Sequence, residues 1–191
     1  MWLENYLVLG AKVKYNKFLY FIAGVFLKFI LLLIFFSLSI SFANSSVDIK
    51  KFSGLWYEIA RVENSFQTSC VASSVEYKLQ EDNTYDVFNR CFENEVNGKL
   101  IEYNGFAKIE NNEIFMRYFF VFTTSYKIEY INNYQTAVVA NDEYSNLWIM
   151  SRTPNIDKVE LENILKSLEK KMDISKLVFT KLDPKGRFRW K

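Results

Sequence analysis

The chain has 191 residues, half of them hydrophobic and 18% aromatic, which supports one domain with a large core and one appended segment. Residues 1–43 carry four lysines and one glutamate, and subtracting these from the totals of 24 and 22 leaves a nearly neutral remainder of 20 basic and 21 acidic residues. A neutral domain lacks the basic surface of a nucleic-acid-binding protein, and the absence of histidine excludes Ser-His and Cys-His nucleophile pairs and His-ligated metal sites.

The first 43 residues have the order of a secretory signal. Three lysines precede an apolar run, residues 29–40 carry no charge, and residues 41–43 offer small side chains at the −3 and −1 positions of a cleavage site. We therefore predict a signal peptide over residues 1–43. The alternative is an uncleaved membrane anchor, because residues 18–40 contain Lys28 as their one charge and are long enough to span a bilayer.

From Leu55 onward, short segments rich in β-branched and aromatic residues alternate with turn residues. The segments predicted as strands are Leu55–Val62, Val71–Leu79, Thr84–Cys91, Leu100–Ile109, Glu113–Phe122, Tyr126–Ile131, Gln135–Ala140 and Leu147–Arg152. Among the turns between them we predict Asn97-Gly98 and Thr123-Thr124-Ser125. This pattern predicts an all-β antiparallel meander, either a sandwich or an up-and-down barrel. Apolar residues on both faces of several strands favour the eight-stranded barrel, which has a lined interior.

One amphipathic helix follows the strands. Asp157 and Glu160 stand three residues apart, as in a capping box, and apolar residues then recur at helical spacing over about residues 158–172. We expect this helix to pack its apolar face on the outside of the barrel. Lys176–Leu182 is predicted as a short ninth strand, and residues 183–191 as a polar basic tail.

The two cysteines, too few for a zinc site, flank a predicted hairpin. Cys70 opens one strand and Cys91 closes the next, on either side of the Asp82-Asn83 turn. Their midpoint falls slightly before the turn centre, a mismatch that either a β-bulge or pairing between adjacent rows would absorb. In an exported protein this placement predicts a disulfide bond; the alternative is two buried free thiols.

Three motifs in this order resemble the lipocalin family, specifically its bacterial lipocalin and apolipoprotein D branch. The first is the Gly-x-Trp of Gly54 and Trp56 with the Tyr-Glu-Ile-Ala that follows it. The second, looser motif is Tyr134–Val139, and the third is the aromatic strand Leu147–Pro154, which carries an Arg before the helix. The resemblance covers about residues 47–182 and implies a lipocalin domain there.

The resemblance also implies roles for individual residues. Gly54 and Trp56 belong to the closed end of the barrel, where Arg152 is expected to lie across the Trp56 ring as a cation–π pair. The residues expected to line the cup and bind ligand are Trp148, Tyr77, Asn89, Tyr118, Phe120 and Phe106. For Phe106 and Phe120, plain core packing is the favoured alternative.

The function implied is binding, storage or transport of a small lipophilic or amphipathic ligand, such as a fatty acid or lysophospholipid, in membrane maintenance. We expect the domain in the periplasm or cell envelope, or else secreted or tethered by an uncleaved N-terminal helix. We also expect membrane association, a monomer or weak dimer, and no cofactor, metal or nucleic acid.

The alternatives to a binding function are a surface or host-interaction protein, and an enzyme. Without histidine, carboxylates, lysines and tyrosines are the acid–base candidates. The carboxylates are mostly turn and helix residues, and Glu58, in the middle of the first strand, is the exception.

Overall fold

A computed structural model of the chain describes residues 22, 25, 26, 28, 46–119 and 122–180. The chain forms two compact units, residues 1–45 and 46–191. The predicted signal or anchor, apart from four positions, and the predicted basic tail lie outside the described residues. Within these ranges, no helix combines the length and the apolar character needed to cross a membrane.

The second unit is a closed antiparallel barrel with one helix and one extra strand outside it. A short helix α1 (Ile49–Phe52) precedes β1 (Gly54–Val62), β2 (Cys70–Leu79), β3 (Tyr85–Glu93), β4 (Leu100–Glu110), β5 (Glu113–Tyr118), β6 (Phe122–Asn132), β7 (Thr136–Ala140), β8 (Leu147–Ser151), α2 (Lys158–Leu168), a 3-10 turn (Ile174–Lys176) and β9 (Leu177–Phe179). Strands β2 to β8 pair in chain order, β8 pairs with β1, and β1 pairs back to β2. The predicted eight-stranded up-and-down barrel with a ninth strand is therefore confirmed.

A bulge in β1 decides which of its side chains face the interior. Its register with β8 shifts between Glu58 and Ala60, so Ile59 and Ala60 both pack into the outer core beneath α2. Glu58 then faces the barrel interior, and Arg61 returns to the same side to pair with it. Without the bulge, strict alternation would put Glu58 and Arg61 on opposite faces.

Helix α2 covers the outer core as expected. Its N-cap is Asp157, whose side chain accepts a hydrogen bond from the Glu160 backbone N–H at 2.9 Å. The Glu160 carboxylate accepts a hydrogen bond from the Asn132 amide at 3.0 Å, so only the first half of the capping box is present. The helix ends at Leu168 rather than at residue 172, while Met172 still packs against the outer core.

The turn between β5 and β6 differs from the prediction. Thr123, Thr124 and Ser125 were expected to form it, but they lie within β6 and pair with Phe115–Arg117 of β5. The chain reverses before these residues, between Tyr118 and Phe122, which pair with each other. Phe119, the first residue after β5, has a positive φ of 49°. The two β-branched threonines suit a strand better than a turn, so the prediction from their polarity alone was wrong.

The predicted disulfide is confirmed. Cys70 and Cys91 are bonded, with their Cα atoms 5.3 Å apart. The register of β2 with β3 shifts between Val71 and Ser74, and Ala72 has a positive φ of 50°. The bulge shifts the register, but Cys70 still lies opposite Glu93 rather than Cys91, so the disulfide runs diagonally between adjacent rows of the two strands. Because both cysteines lie at the end of the hairpin farthest from its turn, the bond holds the start of β2 against β3.

Replacing both cysteines by alanine should lower the free energy of unfolding by about 3 kcal/mol, since the bond closes a loop of 21 residues in the unfolded chain. Urea denaturation of the oxidised protein and the double variant measures the difference. Reduced wild-type protein is the matched control, and it should unfold at nearly the same urea concentration as the variant. Equal stability of oxidised and reduced wild-type protein would contradict the prediction.

Candidate functional site

The floor of the barrel is built on one stacked pair. Trp56 is fully buried, and the Arg152 guanidinium carbon lies 3.7 Å from the centroid of its ring, in the arrangement that the resemblance implied. The Trp56 indole N–H donates a hydrogen bond to the Phe52 carbonyl at 2.9 Å. Helix α1 therefore closes this end of the barrel, and Trp56 fixes it there.

Arg152 also ties together the backbone around the floor. Its side chain donates hydrogen bonds of 2.7–3.1 Å to the carbonyls of Lys51, Phe52, Ser53, Leu55 and Tyr134. Burial lowers the pKa of Arg152 to about 10, which leaves the guanidinium charged at neutral pH. Gly54 makes the approach possible: its φ is +101°, and a Cβ there would lie 3.2 Å from Arg152 Nη1.

A cavity of about 510 Å³ opens above this floor, inside the barrel. Its described wall is largely aromatic and aliphatic. The residues with the largest apolar side chains there are Phe66, Tyr77, Tyr103, Met116, Tyr118, Phe119, Phe122, Tyr126, Trp148 and Met150. Polar groups are fewer and include Glu58, Gln67, Ser73 and Asn89. A concave apolar site with a few placed polar groups is the usual form of a small-molecule site.

The structure brings together four of the six predicted ligand-binding residues. Trp148, Tyr77, Asn89 and Tyr118 all lie on the cavity wall. Asn89 Nδ2 donates a hydrogen bond to the Tyr118 hydroxyl at 3.0 Å, so strands β3 and β5 are joined across β4. Phe120 lies outside the described residues.

Phe106 does not line the cavity, and its expected orientation is corrected. Its neighbours Gly105 and Ala107 are buried, and alternation along β4 then turns Phe106 to the outer surface, where 43% of it is exposed. There the Arg117 guanidinium lies 5.5 Å from the centroid of its ring. Sequence alone left the parity of this strand open, because aromatic residues occur on both of its faces.

Three tyrosines of the wall stay uncharged at neutral pH. Burial raises the pKa of Tyr77, Tyr118 and Tyr126, and the hydroxyls of Tyr118 and Tyr126 add to the rise for Tyr77. They therefore present neutral hydroxyl groups to the cavity. Tyr126 also meets Trp148 edge to face, with ring centroids 5.1 Å apart, which fixes both rings.

The loop between β1 and β2 lies at the open end, and Gln67 fastens it there. The Gln67 side-chain oxygen accepts hydrogen bonds from Trp148 Nε1 at 3.0 Å and from Asn64 at 2.9 Å. Its amide nitrogen donates to Glu58 Oε2 at 2.8 Å. Phe66 in the same loop reaches Phe122 of β6, with ring centroids 6.2 Å apart. The loop therefore borders the cavity from β1 to β6.

A buried ion pair stands beneath this loop. Arg61 Nη1 lies 2.7 Å from Glu58 Oε1, and both side chains are 6% exposed. Arg61 Nη2 donates to the carbonyls of Gln67 at 2.9 Å and Cys70 at 3.4 Å. Thr180, which follows β9, donates its hydroxyl hydrogen to Glu58 Oε1 at 2.6 Å. The pair thus links β1, the open-end loop, the disulfide and the last described residue.

Sequence reasoning missed Gln67, Tyr103, Tyr126 and Gly105. Tyr103 lies directly opposite Asn89 on the neighbouring strand, and directly paired residues share a face of the sheet. Because Asn89 was expected on the inner face, its pairing partner Tyr103 could have been assigned to the same face. Gly105 leaves space for the Tyr118 ring on the cavity wall, because a Cβ at position 105 would lie 2.9 Å from that ring. Gln67 had no local signal as a wall residue, because its contact with Trp148 spans 81 residues of the chain.

A metal site or an acid–base pair on the described wall would need clustered titratable side chains. Among the described residues, no group of three or more Cys, Asp or Glu side chains is placed to hold a metal ion. On the described part of the wall, the carboxylate directed into the cavity is that of Glu58, which is paired with Arg61 rather than with a second acid. Inward carboxylate pairs of the kind used in acid–base catalysis are therefore missing from the described wall.

The family model for the lipocalin-like domain matches residues 47–181. A lipocalin of Acanthamoeba polyphaga mimivirus is 35% identical over 128 residues, covering 61% of this chain and 73% of that protein. The outer membrane lipoprotein Blc of Vibrio cholerae is 28% identical over 142 residues, covering 71% of this chain and 82% of its own length.

Solved structures show the same fold at lower identity. Insecticyanin from the tobacco hornworm Manduca sexta superposes with a TM-score of 0.61 at 17% identity, over 74% of this chain and 84% of insecticyanin. Likeness at this identity concerns the barrel architecture alone.

Proposed function

The chain belongs to the lipocalin-like domain family, and from that premise we propose that it binds and carries a small amphipathic lipid with a single acyl chain, such as a fatty acid or lysophospholipid. The observation that carries the proposal is the cavity of about 510 Å³ with its aromatic and aliphatic wall. A volume between about 300 and 1,000 Å³ is typical of sites that enclose one small molecule. Family membership supports the broader function, binding of a small hydrophobic ligand.

The wall supports an elongated ligand that enters through the open end. Phe119 and Phe122 lie at the open end, where β5 meets β6, whereas Tyr77 and Met116 lie closer to the floor. An acyl chain running between these levels would contact aromatic and aliphatic groups along its whole length. Each buried methylene then contributes about 0.8 kcal/mol.

Affinity should therefore rise by about fourfold for each added methylene until the cavity is full, and then level off or fall. Titrating fatty acids and lysophospholipids of increasing length into the purified protein measures this, with tryptophan fluorescence as the readout. Trp148 should report entry, because its ring lies on the wall. Affinity that does not depend on chain length would show that the cavity is not the site, and the surface-interaction alternative would replace the proposal.

Trp148→Ala should weaken binding by at least about tenfold, since a tenfold loss corresponds to about 1.4 kcal/mol and burial of a large apolar side chain contributes more than that. The barrel should stay folded, because Trp148 is part of the cavity wall and not of the floor. Phe106→Ala is the matched control: it removes an aromatic ring from the outer surface, and affinity should not change. A loss that is equal in both variants would contradict the assignment. Calorimetric titration gives both affinities.

We further propose that the protein acts outside the cytoplasm, in the periplasm or cell envelope. The disulfide between Cys70 and Cys91 supports this, because such bonds persist in oxidising compartments. The basic, apolar and small-residue order of residues 1–43 supports export as well. Fractionation of the native host with N-terminal sequencing of the recovered protein tests both the location and the cleavage. Recovery from the cytoplasm with reduced cysteines would overturn the proposal.

A further inference from the structure

Charge is distributed unevenly around the cavity. In the described part of its wall, Glu58 and Arg90 are the two residues with a formal charge at neutral pH. Arg90 directs its side chain to the outer surface, where its Nη1 lies 2.7 Å from Glu76 Oε2 and its Nε 2.6 Å from Glu102 Oε2. Glu58 is therefore the charged side chain that the described wall directs inward.

The Glu58 carboxylate keeps capacity for one more hydrogen bond. Its Oε1 accepts from Arg61 and Thr180, and its Oε2 accepts from Gln67. A carboxylate offers about four acceptor positions, so these three bonds leave Oε2 able to accept from one further donor. A ligand in the cavity can supply that donor.

Arg61 balances the charge of Glu58 but does not face the ligand. Its guanidinium lies under the open-end loop, held by the carbonyls of Gln67 and Cys70. It does not form part of the cavity wall, which Glu58 does. The ion pair is thus a dipole whose negative end points at the cavity, and the apolar surroundings screen it less than water would.

An anionic head group would find no compensating cation on the described wall. The Trp148 indole N–H donates to Gln67, and an Asn89 amide N–H donates to Tyr118. The tyrosine hydroxyls are neutral donors. A carboxylate inside the cavity would therefore lose its hydration, face Glu58 and gain only neutral hydrogen bonds.

We propose that Glu58 sets the head-group specificity of this cavity, favouring single-chain lipids with an uncharged hydrogen-bond-donating or a cationic head over free fatty-acid carboxylates. The inference rests on the proposed function and narrows its ligand class. Fatty acids still enter tail first, but their carboxylates stay at the open end in water. Alcohol, amide or amine heads can descend to Glu58 and donate to Oε2.

The test compares three probes that share one chain and differ in the head: dodecanoate, dodecanol and dodecylamine. At neutral pH the first is anionic and the last cationic. Each is titrated into the purified protein below its aggregation concentration, and calorimetry gives the affinity. We expect dodecanol and dodecylamine each to bind at least about tenfold more tightly than dodecanoate. Dodecanoate binding as tightly as dodecylamine would overturn the inference. Failure of all three to bind would overturn the proposed function itself.

The role of Glu58 is separated from general charge by variants. Glu58→Gln combined with Arg61→Met removes both members of the pair, so no unpaired charge stays buried. In this double variant dodecylamine should lose its advantage over dodecanoate, and an unchanged order of the three probes would refute the role of Glu58. Glu95→Gln, which removes an exposed carboxylate from the loop between β3 and β4, is the matched control and should preserve the wild-type order. Where the double variant is unstable, the wild-type series still tests the inference, because dodecanoate binding as tightly as dodecylamine would overturn it.

Discussion

Replacing Trp56 by alanine should lower the free energy of unfolding by about 3–5 kcal/mol. The ring is fully buried between α1 and the strands, so its removal leaves a void at the floor of the barrel. It also takes away the indole hydrogen bond that holds the Phe52 carbonyl. Urea denaturation followed by far-UV circular dichroism measures the change.

The loss at Trp56 should not add to the loss at Arg152. Arg152→Ala alone should cost about 0.5–2 kcal/mol for the cation–π pair and its packing, and more where its carbonyl partners stay unsatisfied. Because the two groups are in contact, the double variant should lose less than the sum of the single losses. Strict additivity would mean that the pair does not interact in solution. Trp148→Ala, which removes a tryptophan from the wall rather than the floor, serves as the comparison.

Arg61→Met should cost about 3–5 kcal/mol, because it leaves the Glu58 carboxylate buried without its cation. The side chains are of similar length, so the lost charge dominates the effect. Equilibrium unfolding of the variant measures it. The same experiment on Arg117→Met, which replaces an exposed arginine of β5, should change stability by only a few tenths of a kcal/mol.

The paired variant shows whether the cost comes from the uncompensated charge. Glu58→Gln together with Arg61→Met should recover most of the stability lost in Arg61→Met, since no buried charge then stays unpaired. If the double variant is less stable than Arg61→Met alone, the pair stabilises the barrel through more than mutual charge compensation. That result would contradict the expectation.

The strand order and the cysteine pairing could be predicted because their signals are local. Turn residues such as Asn97-Gly98 and the alternation between them set the strand limits to within a few residues, and two cysteines flanking one hairpin have one partner each. The floor could be predicted because Gly54 and Trp56 belong to a recognisable motif. In each case neighbouring residues hold the information.

The orientation of the wall residues could not be predicted in full, because one bulge changes the face of every residue beyond it. The irregularity at Ile59 and Ala60 has no marker such as glycine or proline, yet it turns Arg61 inward. Gln67 meets Trp148, which is 81 residues away, and no local pattern encodes that contact. Phe106 fell on the wrong face for the related reason that aromatic residues occupy both sides of β4.

The reach of Arg152 has a consequence for the order of events during synthesis. The carbonyls of Lys51, Phe52, Ser53 and Leu55 that it joins precede it by 97 to 101 residues. The floor of the barrel can therefore form only after β8 and Arg152 have been synthesised. Until then, no guanidinium lies over the Trp56 ring. Contacts of such long sequence separation slow the final step of folding. Partly folded chains that expose apolar surface in this way are prone to aggregate.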